Sequence, residues 1–402
     1  MKHFVLAQKV LTSVLLKEVS FNLGMKNAFN DEKNKLLNKK EVSSLVGCAL
    51  RHTLAFEEII NQKYPELDLI NKSYLLLYLA NHYFIKKYSD SDLKTHLNSK
   101  LSLEGLDEFL TSIDSMEWID KTLDPKSVKF LSLRFNTPAW LVGMWNKHYD
   151  YHLTARLLKT NAKPAPIFAI KKNEDAPEAG FEPTKVAGVY KKTEPGKLNE
   201  NYLYSSTCLH HALDAAQIDP FRGLVVYSEY PSFIFNELAV RLPKAVQFDY
   251  IAGNFLTMQD AKRNANFLKL TNAHLYECSY TSTITVLAHK VNTIIAMPNC
   301  SNFAALQTNP EQFLYLDQTQ LDSFIENEYN CLDELSKYVE PGGRLIYLLP
   351  TVNNKEGHLN ATRFLKDHSN FELVDEKQFF ACNSYESSFF YAIFQNTEEV
   401  DD

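Results

Sequence analysis

Hydrophobic positions recur at helical spacing from residue 2 to about residue 153, and this pattern predicts a bundle of helices. One apolar stripe runs through residues 4–15, and a second runs through residues 41–54. The most apolar stretch, residues 74–80, is shorter than the ~18 residues that a membrane helix requires, so it predicts a buried core helix. Helical patterns joined by short polar turns favour a small all-α domain.

From residue 203 onward, short apolar runs alternate with amphipathic segments. The runs predicted as strands are residues 223–227, 245–249, 274–276, 293–296, 345–349, 371–374 and 389–394. Residues 293–296 end at Met297 and Pro298, as a buried parallel strand ends at a site loop. Residues 321–338 predict the helix that joins this strand to the next. The alternation predicts a doubly wound, Rossmann-like sheet and allows an antiparallel edge strand.

Composition narrows the class of protein. The chain has 402 residues, 45% of them hydrophobic, and a net charge of −7, which suits packed domains rather than a basic nucleic-acid coat. The six cysteines form no CxxC pair and no cluster at metal-ligand spacing, so they predict reduced thiols in a cytoplasmic protein without a metal. The amino terminus reads as an amphipathic helix rather than a signal peptide.

A basic segment interrupts this acidic chain. Residues 156–200 hold nine Lys and Arg against six Asp and Glu, which leaves a charge of +3. Short strands such as residues 167–170 alternate there with proline-containing loops. Such a segment either grips a phosphate backbone or is a solvated charged surface. The last six residues, 397–402, are predicted to be a disordered acidic tail.

Four segments carry a family resemblance: residues 131–135 with Trp140 and Leu141, residues 171–173, residues 341–347 and residues 387–392. The first resembles the Ser-x-Arg-Tyr linker of one family, and the second resembles its Arg-x-Asn segment. The third resembles the stretch before that family's second cysteine motif, and the fourth resembles the Asp-Gly-Phe-Phe-x-Ala ending of this family. It is the RsmB/NOP-type (Sun/Fmu) family of S-adenosylmethionine-dependent RNA (cytosine-5) methyltransferases, and the resemblance covers nearly the whole chain.

The resemblance implies an α + α/β chain in four parts. Residues 1–130 would be a NusB-like helical RNA-binding domain, and residues 131–200 a linker and a small α/β RNA-contacting subdomain. Residues 201–396 would be a Rossmann-like class I methyltransferase domain, followed by the tail. RNA, and ribosomal RNA in particular, is the partner implied. The implied RNA-binding residues are Arg134, Lys171, Lys172 and Asn173.

The chemical motifs of the family are altered here. Members add a cysteine thiolate to carbon 6 of cytosine and use a second cysteine to release the product. Where the nucleophile stands in Ser-Thr-Cys-Ser, this chain has Pro350. The family's Asp-Ala-Pro-Cys-Ser-Gly motif corresponds to residues 296–301. Ala296 replaces the aspartate, and the cysteine is displaced by one residue, to Cys300. Cys300 is therefore the candidate catalytic residue.

The loop that would hold S-adenosylmethionine is altered as well. The family's Ala-Ala-Pro-Gly-Gly-Lys turn corresponds to residues 229–234, which keep Pro231 but lack the glycines and the lysine. Phe233 is expected to fill the space that the glycines leave for the cofactor. Asp249, taken to end the second strand, is where an acid would bind the ribose hydroxyls. Asp249 and Pro231 are thus the candidate cofactor-binding residues.

Three hypotheses follow. The first is a non-catalytic RNA-binding or ribosome-assembly factor, since three separate motifs have lost their chemical groups. The second is a divergent S-adenosylmethionine-dependent rRNA (cytosine-5) methyltransferase that uses Cys300 as its only thiol. The third is a protein–protein scaffold whose helical domain binds a partner protein, which the charge of −7 favours and the basic segment opposes.

Overall fold

The chain forms two compact units in the computed structural model, which describes all residues except 114–117, 164, 173–178, 195, 220, 231–232, 288, 384–386 and 399–402. The first unit comprises Met1–Pro164 and Leu306–Asp317, and the second comprises Ala165–Ala305 and Gln318–Asp402. The predicted domain boundary at residue 130 falls inside the first unit, and that at residue 200 falls inside the second. Of the helices in the described part of the chain, none is long and apolar enough to cross a membrane.

Eleven helices described in the first unit confirm the predicted helical amino-terminal region. They are α1 (Lys2–Leu15), α2 (Phe21–Asn30), α3 (Lys39–Arg51), α4 (Thr53–Asn61), α5 (Leu69–Ala80), α6 (Asp90–Asn98), α7 (Leu106–Ser112), α8 (Trp118–Thr122), α9 (Val128–Phe135), α10 (Ala139–Tyr149) and α11 (Tyr151–Asn161). Side chains at several amino-terminal caps accept a first-turn N–H and so fix where these helices begin, namely Ser20, Asn38, Asp68, Ser89, Ser127 and Asp150.

The core of the first unit lies around α1, α3 and α5. In α5, every residue from Leu75 to Ala80 is fully buried, which confirms the prediction of a core helix. The segment Leu306–Asp317 packs into this unit through polar contacts at both of its ends. The Arg51 guanidinium donates to the Gln307 carbonyl at 2.8 Å, and the Tyr315 hydroxyl donates to the Val19 carbonyl at 2.9 Å.

The basic segment of the second unit folds into a small antiparallel sheet. Its strands are β1 (Phe168–Lys171), β2 (Phe181–Pro183), β3 (Val189–Lys192) and β4 (Tyr202–Tyr204), in the order β2-β3-β1-β4. Buried Ile170, Val189 and Leu203 form its apolar face. The side chains of Phe181 and Tyr202 stack with their ring centroids 3.7 Å apart.

The rest of the second unit is the predicted doubly wound α/β domain, and it confirms the α + α/β class. Its strands are β5 (Leu224–Ser228), β6 (Phe248–Ala252), β7 (Ala273–Glu277), β8 (Val291–Met297), β9 (Val339–Leu349), β10 (Phe371–Phe379) and β11 (Phe389–Asn396). The order is β10-β11-β9-β8-β5-β6-β7, with parallel pairing from β9 to β7. The antiparallel strand β11 lies between β9 and β10, so it is second from the edge and not at the edge as expected.

Helices cover both faces of this sheet. They are α12 (Thr207–Ala216), α13 (Phe233–Arg241), α14 (Phe255–Leu268), α15 (Gln318–Ser336) and α16 (His358–Asp367). Buried residues of α12 to α14 pack on one face, and those of α15 and α16 pack on the other. A parallel sheet buried on both faces explains why its strands are continuous apolar runs rather than alternating ones.

The Pro-Gly-Gly stretch is built into β9 as an irregularity against β8. Gly342 has a φ of +74°, a conformation that glycine adopts without a steric penalty. A Cβ on Gly343 would lie 2.6 Å from the Asn292 carbonyl oxygen of β8. The register between β8 and β9 shifts at this point. The two glycines therefore let β9 approach β8, so that both strands deliver their loops to one edge.

Candidate functional site

The carboxyl ends of β5, β6, β8 and β9 lie at one edge of the sheet, because these strands are parallel. The chain order reverses between β5 and β8, and a crevice at such a switch point is where open α/β sheets bind ligands. The loops after β8 and β9 are joined directly, since the Ala304 N–H donates to the Pro350 carbonyl at 3.2 Å. These two loops therefore lie together at the same edge of the sheet.

The loop after β5 sends the Glu229 side chain into this crevice. The Glu229 carboxylate accepts from the Tyr227 hydroxyl at 2.8 Å and from the Asn299 N–H at 2.5 Å. It lies against Gly253, the residue after β6, where an added Cβ would overlap Glu229 Cγ and come within 2.5 Å of the Tyr227 hydroxyl. Asn254 donates to the Glu229 carbonyl at 3.0 Å. The carboxylate thus connects the loops that follow β5, β6 and β8.

Phe233 was expected to fill the crevice, but it does not. It begins α13, and 43% of its surface is exposed to solvent. The contacts inside the crevice are made instead by Glu229 and Tyr230, the two residues directly after β5. Pro231, a predicted cofactor-binding residue, and its neighbour Ser232 lie outside the described residues.

The prediction that Asp249 ends the second strand is wrong. Strand β6 continues through Tyr250 and Ile251 to Ala252, so Asp249 is its second residue. At ~3.3 Å per residue, it lies about 10 Å short of the strand end. Its half-buried carboxylate pairs with His274 of β7, 3.1 Å away. The residue at the carboxyl end of β6 is Ala252, whose side chain has no hydrogen-bonding group.

Cys300 follows β8 and is buried, with 2% of its surface exposed. Its sulfur lies 3.1 Å from the Tyr230 hydroxyl and accepts from the Asn302 N–H at 3.3 Å. The Tyr230 hydroxyl also accepts from the Cys300 N–H at 2.8 Å. Burial, and then the negative charge of Glu356, raises the pKa of the Cys300 thiol well above its ordinary value. The group at this position is therefore an enclosed thiol whose surroundings disfavour the thiolate.

Pro350 stands directly after β9, at the position that the family motif gives to the nucleophile. The next residue, Thr351, turns its hydroxyl into the interior, 3.0 Å from that of Ser301. Both hydroxyls donate to the Glu356 carboxylate, Ser301 at 2.7 Å and Thr351 at 2.9 Å. The Ser301 N–H donates to the same carboxylate at 2.6 Å. Polar groups of both loops therefore converge on one buried acid.

A second buried acid, Glu328 of α15, faces Glu356. It accepts from the Tyr347 hydroxyl at 3.2 Å and from the Asn360 amide at 3.3 Å. Burial raises the pKa of both carboxyl groups, and for Glu328 the adjacent Glu356 raises it further. This pair of acids was not predicted from the sequence. The signal that could have found it is that Glu328 shares the buried stripe of α15 with Leu321, Leu332 and Leu335.

The predicted RNA-binding residues are divided between the two units. Lys171 ends β1, and the Lys172 ammonium lies 3.3 Å from the centre of the Phe267 ring of α14. Arg134, on α9 of the first unit, lies 3.8 Å from the Asp120 carboxylate. Asn173 lies outside the described residues. The structure thus places Lys171 and Lys172 together on the small sheet and Arg134 in the other unit.

No protein-family model matches this sequence, and no curated protein sequence matches it either. In structure the chain is similar to PH0851, with 15% identity, a TM-score of 0.76, and coverage of 97% of this chain and 98% of that one. It is also similar to NSun6 from Pyrococcus horikoshii with SFG, at 9% identity and a TM-score of 0.58 over 65% of this chain and 99% of that one. A methyltransferase homolog protein from Pyrococcus horikoshii gives 14% identity and a TM-score of 0.57 over 68% and 100%. The likeness establishes a class I methyltransferase fold preceded by a helical region.

Proposed function

We propose that this protein is a non-catalytic RNA-binding protein with a methyltransferase fold, a ribosome-assembly factor rather than an enzyme. The observation that carries the proposal is the Glu229 carboxylate in the crevice at the switch point, held by Tyr227, Gly253 and Asn299. The NSun6 structure that shares this fold carries SFG, so ligand binding is a property of that neighbour. In this chain the crevice is occupied by a side chain.

S-adenosylmethionine does not fit the groups at this edge. Its ribose needs an acceptor at the end of the second strand, and Ala252 offers none. A cofactor carboxylate brought close to the Glu229 carboxylate would be repelled, because two like charges repel at close range unless a proton is bound. A Cβ at Gly253 would have no room beside Glu229 and Tyr227, so the space directly beside Gly253 is already filled.

The thiol chemistry is absent for a separate reason. Addition to cytosine carbon 6 needs a thiolate, and the fraction of thiolate falls as the pKa rises. Burial raises the pKa of the Cys300 thiol and so lowers its thiolate fraction, and the Tyr230 hydroxyl stands 3.1 Å from its sulfur. Pro350 has no nucleophilic atom. These losses support a binding role over the divergent methyltransferase, which predicts transfer of labelled methyl to RNA that disappears in Cys300→Ala.

The small antiparallel sheet supports RNA as the ligand. It concentrates lysines on a surface stiffened by aromatic rings, with Lys192 lying 5.4 Å from the Phe181 ring and Lys172 over Phe267. Cations held beside partly exposed aromatic rings suit a phosphate backbone with unstacked bases. The helical unit would add a second contact surface through Arg134. Ribosomal RNA is the substrate class proposed from the family resemblance.

The salt dependence of RNA binding tests this proposal. Binding of a ribosomal RNA fragment, followed by fluorescence anisotropy, should weaken linearly in log Kd against log salt concentration, because phosphate contacts release counterions. The Lys171→Ala/Lys192→Ala double variant should reduce the slope by about 0.7 per lysine on a single strand, or about 0.9 on a duplex. Lys337→Ala is the matched control, since Asp333 and Glu334 already neutralise Lys337.

Two results would count against the proposal. An unchanged slope in the double variant would remove the small sheet from the RNA-binding surface. Absence of any salt-sensitive RNA binding would favour the protein–protein scaffold, because protein contacts release few counterions.

A further inference from the structure

Three side chains of the types that can ligate a metal converge inside the second unit, beneath the edge that carries the crevice. They are Cys300 after β8, Glu328 in the middle of α15 and Glu356 after β9. Their sulfur and carboxylate oxygen atoms lie within 4.8 Å of one another, and all three residues are buried. Glu328 and Glu356 follow Cys300 by 28 and 56 residues along the chain, so no spacing motif reveals the cluster.

The cluster lacks a counter-charge. Within the described part of the chain, none of these three residues forms an ion pair with Lys, Arg or His. Two carboxylates and a thiol buried together are costly unless protons or a cation neutralise them. Two arrangements would neutralise the cluster. Either the two carboxyl groups keep their protons, or a metal ion replaces those protons.

Two buried oxygen atoms, one in this cluster and one on a residue hydrogen-bonded to it, have no hydrogen-bond partner among the described residues. Glu328 is 0% exposed, and its Oε1 has no hydrogen-bond donor. Asn360 is 2% exposed, and its Oδ1 is also without a partner, although its amide nitrogen donates to Glu328. Buried hydrogen-bond acceptors are rarely left unsatisfied in native proteins. A metal ion is one of the few groups that carboxylate oxygens and a cysteine sulfur can bind together.

The surrounding hydrogen bonds hold each group by one side. Glu356 accepts from Ser301 and Thr351, and Glu328 accepts from Tyr347. The Cys300 sulfur accepts from the Asn302 N–H. Donors of this kind orient the ligands of a metal and raise the affinity of the site. They leave Glu328 Oε1 free to coordinate.

We propose that Cys300, Glu328 and Glu356 bind one divalent transition-metal ion of the zinc class. Thiolate is a poor ligand for Mg²⁺ and Ca²⁺, whereas Zn²⁺ accepts cysteine sulfur together with carboxylate oxygen. The ion would join the loops after β8 and β9 to α15. It would stabilise the edge of the sheet in a protein whose Cys300 is no longer a catalytic group, and this role is independent of RNA binding.

Metal analysis and cobalt spectroscopy test the proposal on the full-length protein. Inductively coupled plasma mass spectrometry should find one zinc per chain. Protein stripped with a chelator and titrated with Co²⁺ should develop a thiolate-to-cobalt charge-transfer band, which surface histidines and carboxylates do not produce, and Zn²⁺ should abolish it. Cys300→Ser should remove the band, and Glu328→Gln should weaken zinc binding by at least about 100-fold, the upper end of the loss from one orienting partner.

Cys331→Ser is the matched control, because Cys331 is a buried thiol on the same helix as Glu328 but is not among the three ligands. It should keep the band and the zinc. Loss of the band in Cys331→Ser would overturn the assignment of Cys300. A wild-type protein that retains no zinc and gives no charge-transfer band would overturn the site altogether and leave a protonated carboxyl pair. The wild-type spectrum decides this even if a variant does not fold.

Discussion

The contact between Glu229 and Gly253 can be measured by a double-mutant cycle. The alanine Cβ in Gly253→Ala would overlap Glu229 Cγ and lie 2.5 Å from the hydroxyl and 2.9 Å from Cζ of Tyr227. Tyr227 is fully buried and packs edge-on against Tyr280, so it has no room to retreat. Overpacking of this kind costs about 1–3 kcal/mol of unfolding free energy.

The cost should depend on the Glu229 side chain. In a Glu229→Ala background Cγ is gone, and only the contact with Tyr227 remains, so Gly253→Ala should cost about 1 kcal/mol less than in the wild type. Urea unfolding should be followed by circular dichroism, because Trp118, Trp140 and Trp145 all lie in the first unit and would not report on this site.

Two controls define the result. Glu372→Ala, an exposed acid on β10, should be additive with Gly253→Ala to within about 0.5 kcal/mol. Gly143→Ala, where a Cβ meets nothing within 4 Å in α10, should stabilise the protein by up to about 1 kcal/mol. Additivity of Glu229→Ala and Gly253→Ala would refute the reasoning, since it would mean that the carboxylate does not lie against Gly253.

Two further predictions concern the helical unit. Burial lowers the pKa of His52 from 6.5 to about 4, so the unfolded chain binds a proton before the folded one does as the pH falls. The free energy of unfolding should therefore decrease from pH 6.5 toward pH 4, by up to about 3 kcal/mol. The variant His52→Phe keeps the stacking on Phe84 and should remove that pH dependence, as measured by urea unfolding. In the same assay, Asn136→Ala should lower the free energy of unfolding by about 2 kcal/mol. The buried Asn136 amide donates to the Leu50 carbonyl at 2.7 Å and accepts from the Leu54 N–H at 2.9 Å, and the variant loses both bonds. A loss below about 0.5 kcal/mol would contradict this prediction.

Local pattern was sufficient for most of the fold. The apolar runs of β5, β8 and β9 are buried on both faces, so each is continuous in sequence and ends where polar residues begin. The Pro-Gly-Gly stretch marked β9, because only glycine fits the positive φ at Gly342 and the close approach at Gly343. The helix predicted over residues 321–338 is observed as Gln318–Ser336.

The site was less accessible from sequence. Asp249 looked like a strand end because a charged residue interrupts the apolar run, yet it is the half-buried second residue of β6 and the strand continues for three residues. The sequence shows that Glu229 follows an apolar strand, but not that its side chain turns into the crevice. The pairing of Glu328 with Glu356 depends on the packing of α15 against the loop after β9, which no local pattern encodes.

Calorimetric titration of the full-length protein with S-adenosylmethionine tests the central claim most directly. A crevice that holds the Glu229 carboxylate and ends β6 at Ala252 should give no saturable heat, with any Kd above about 1 mM. Saturable, stoichiometric binding in the micromolar range would contradict the account, because it would show that the crevice still accommodates the cofactor.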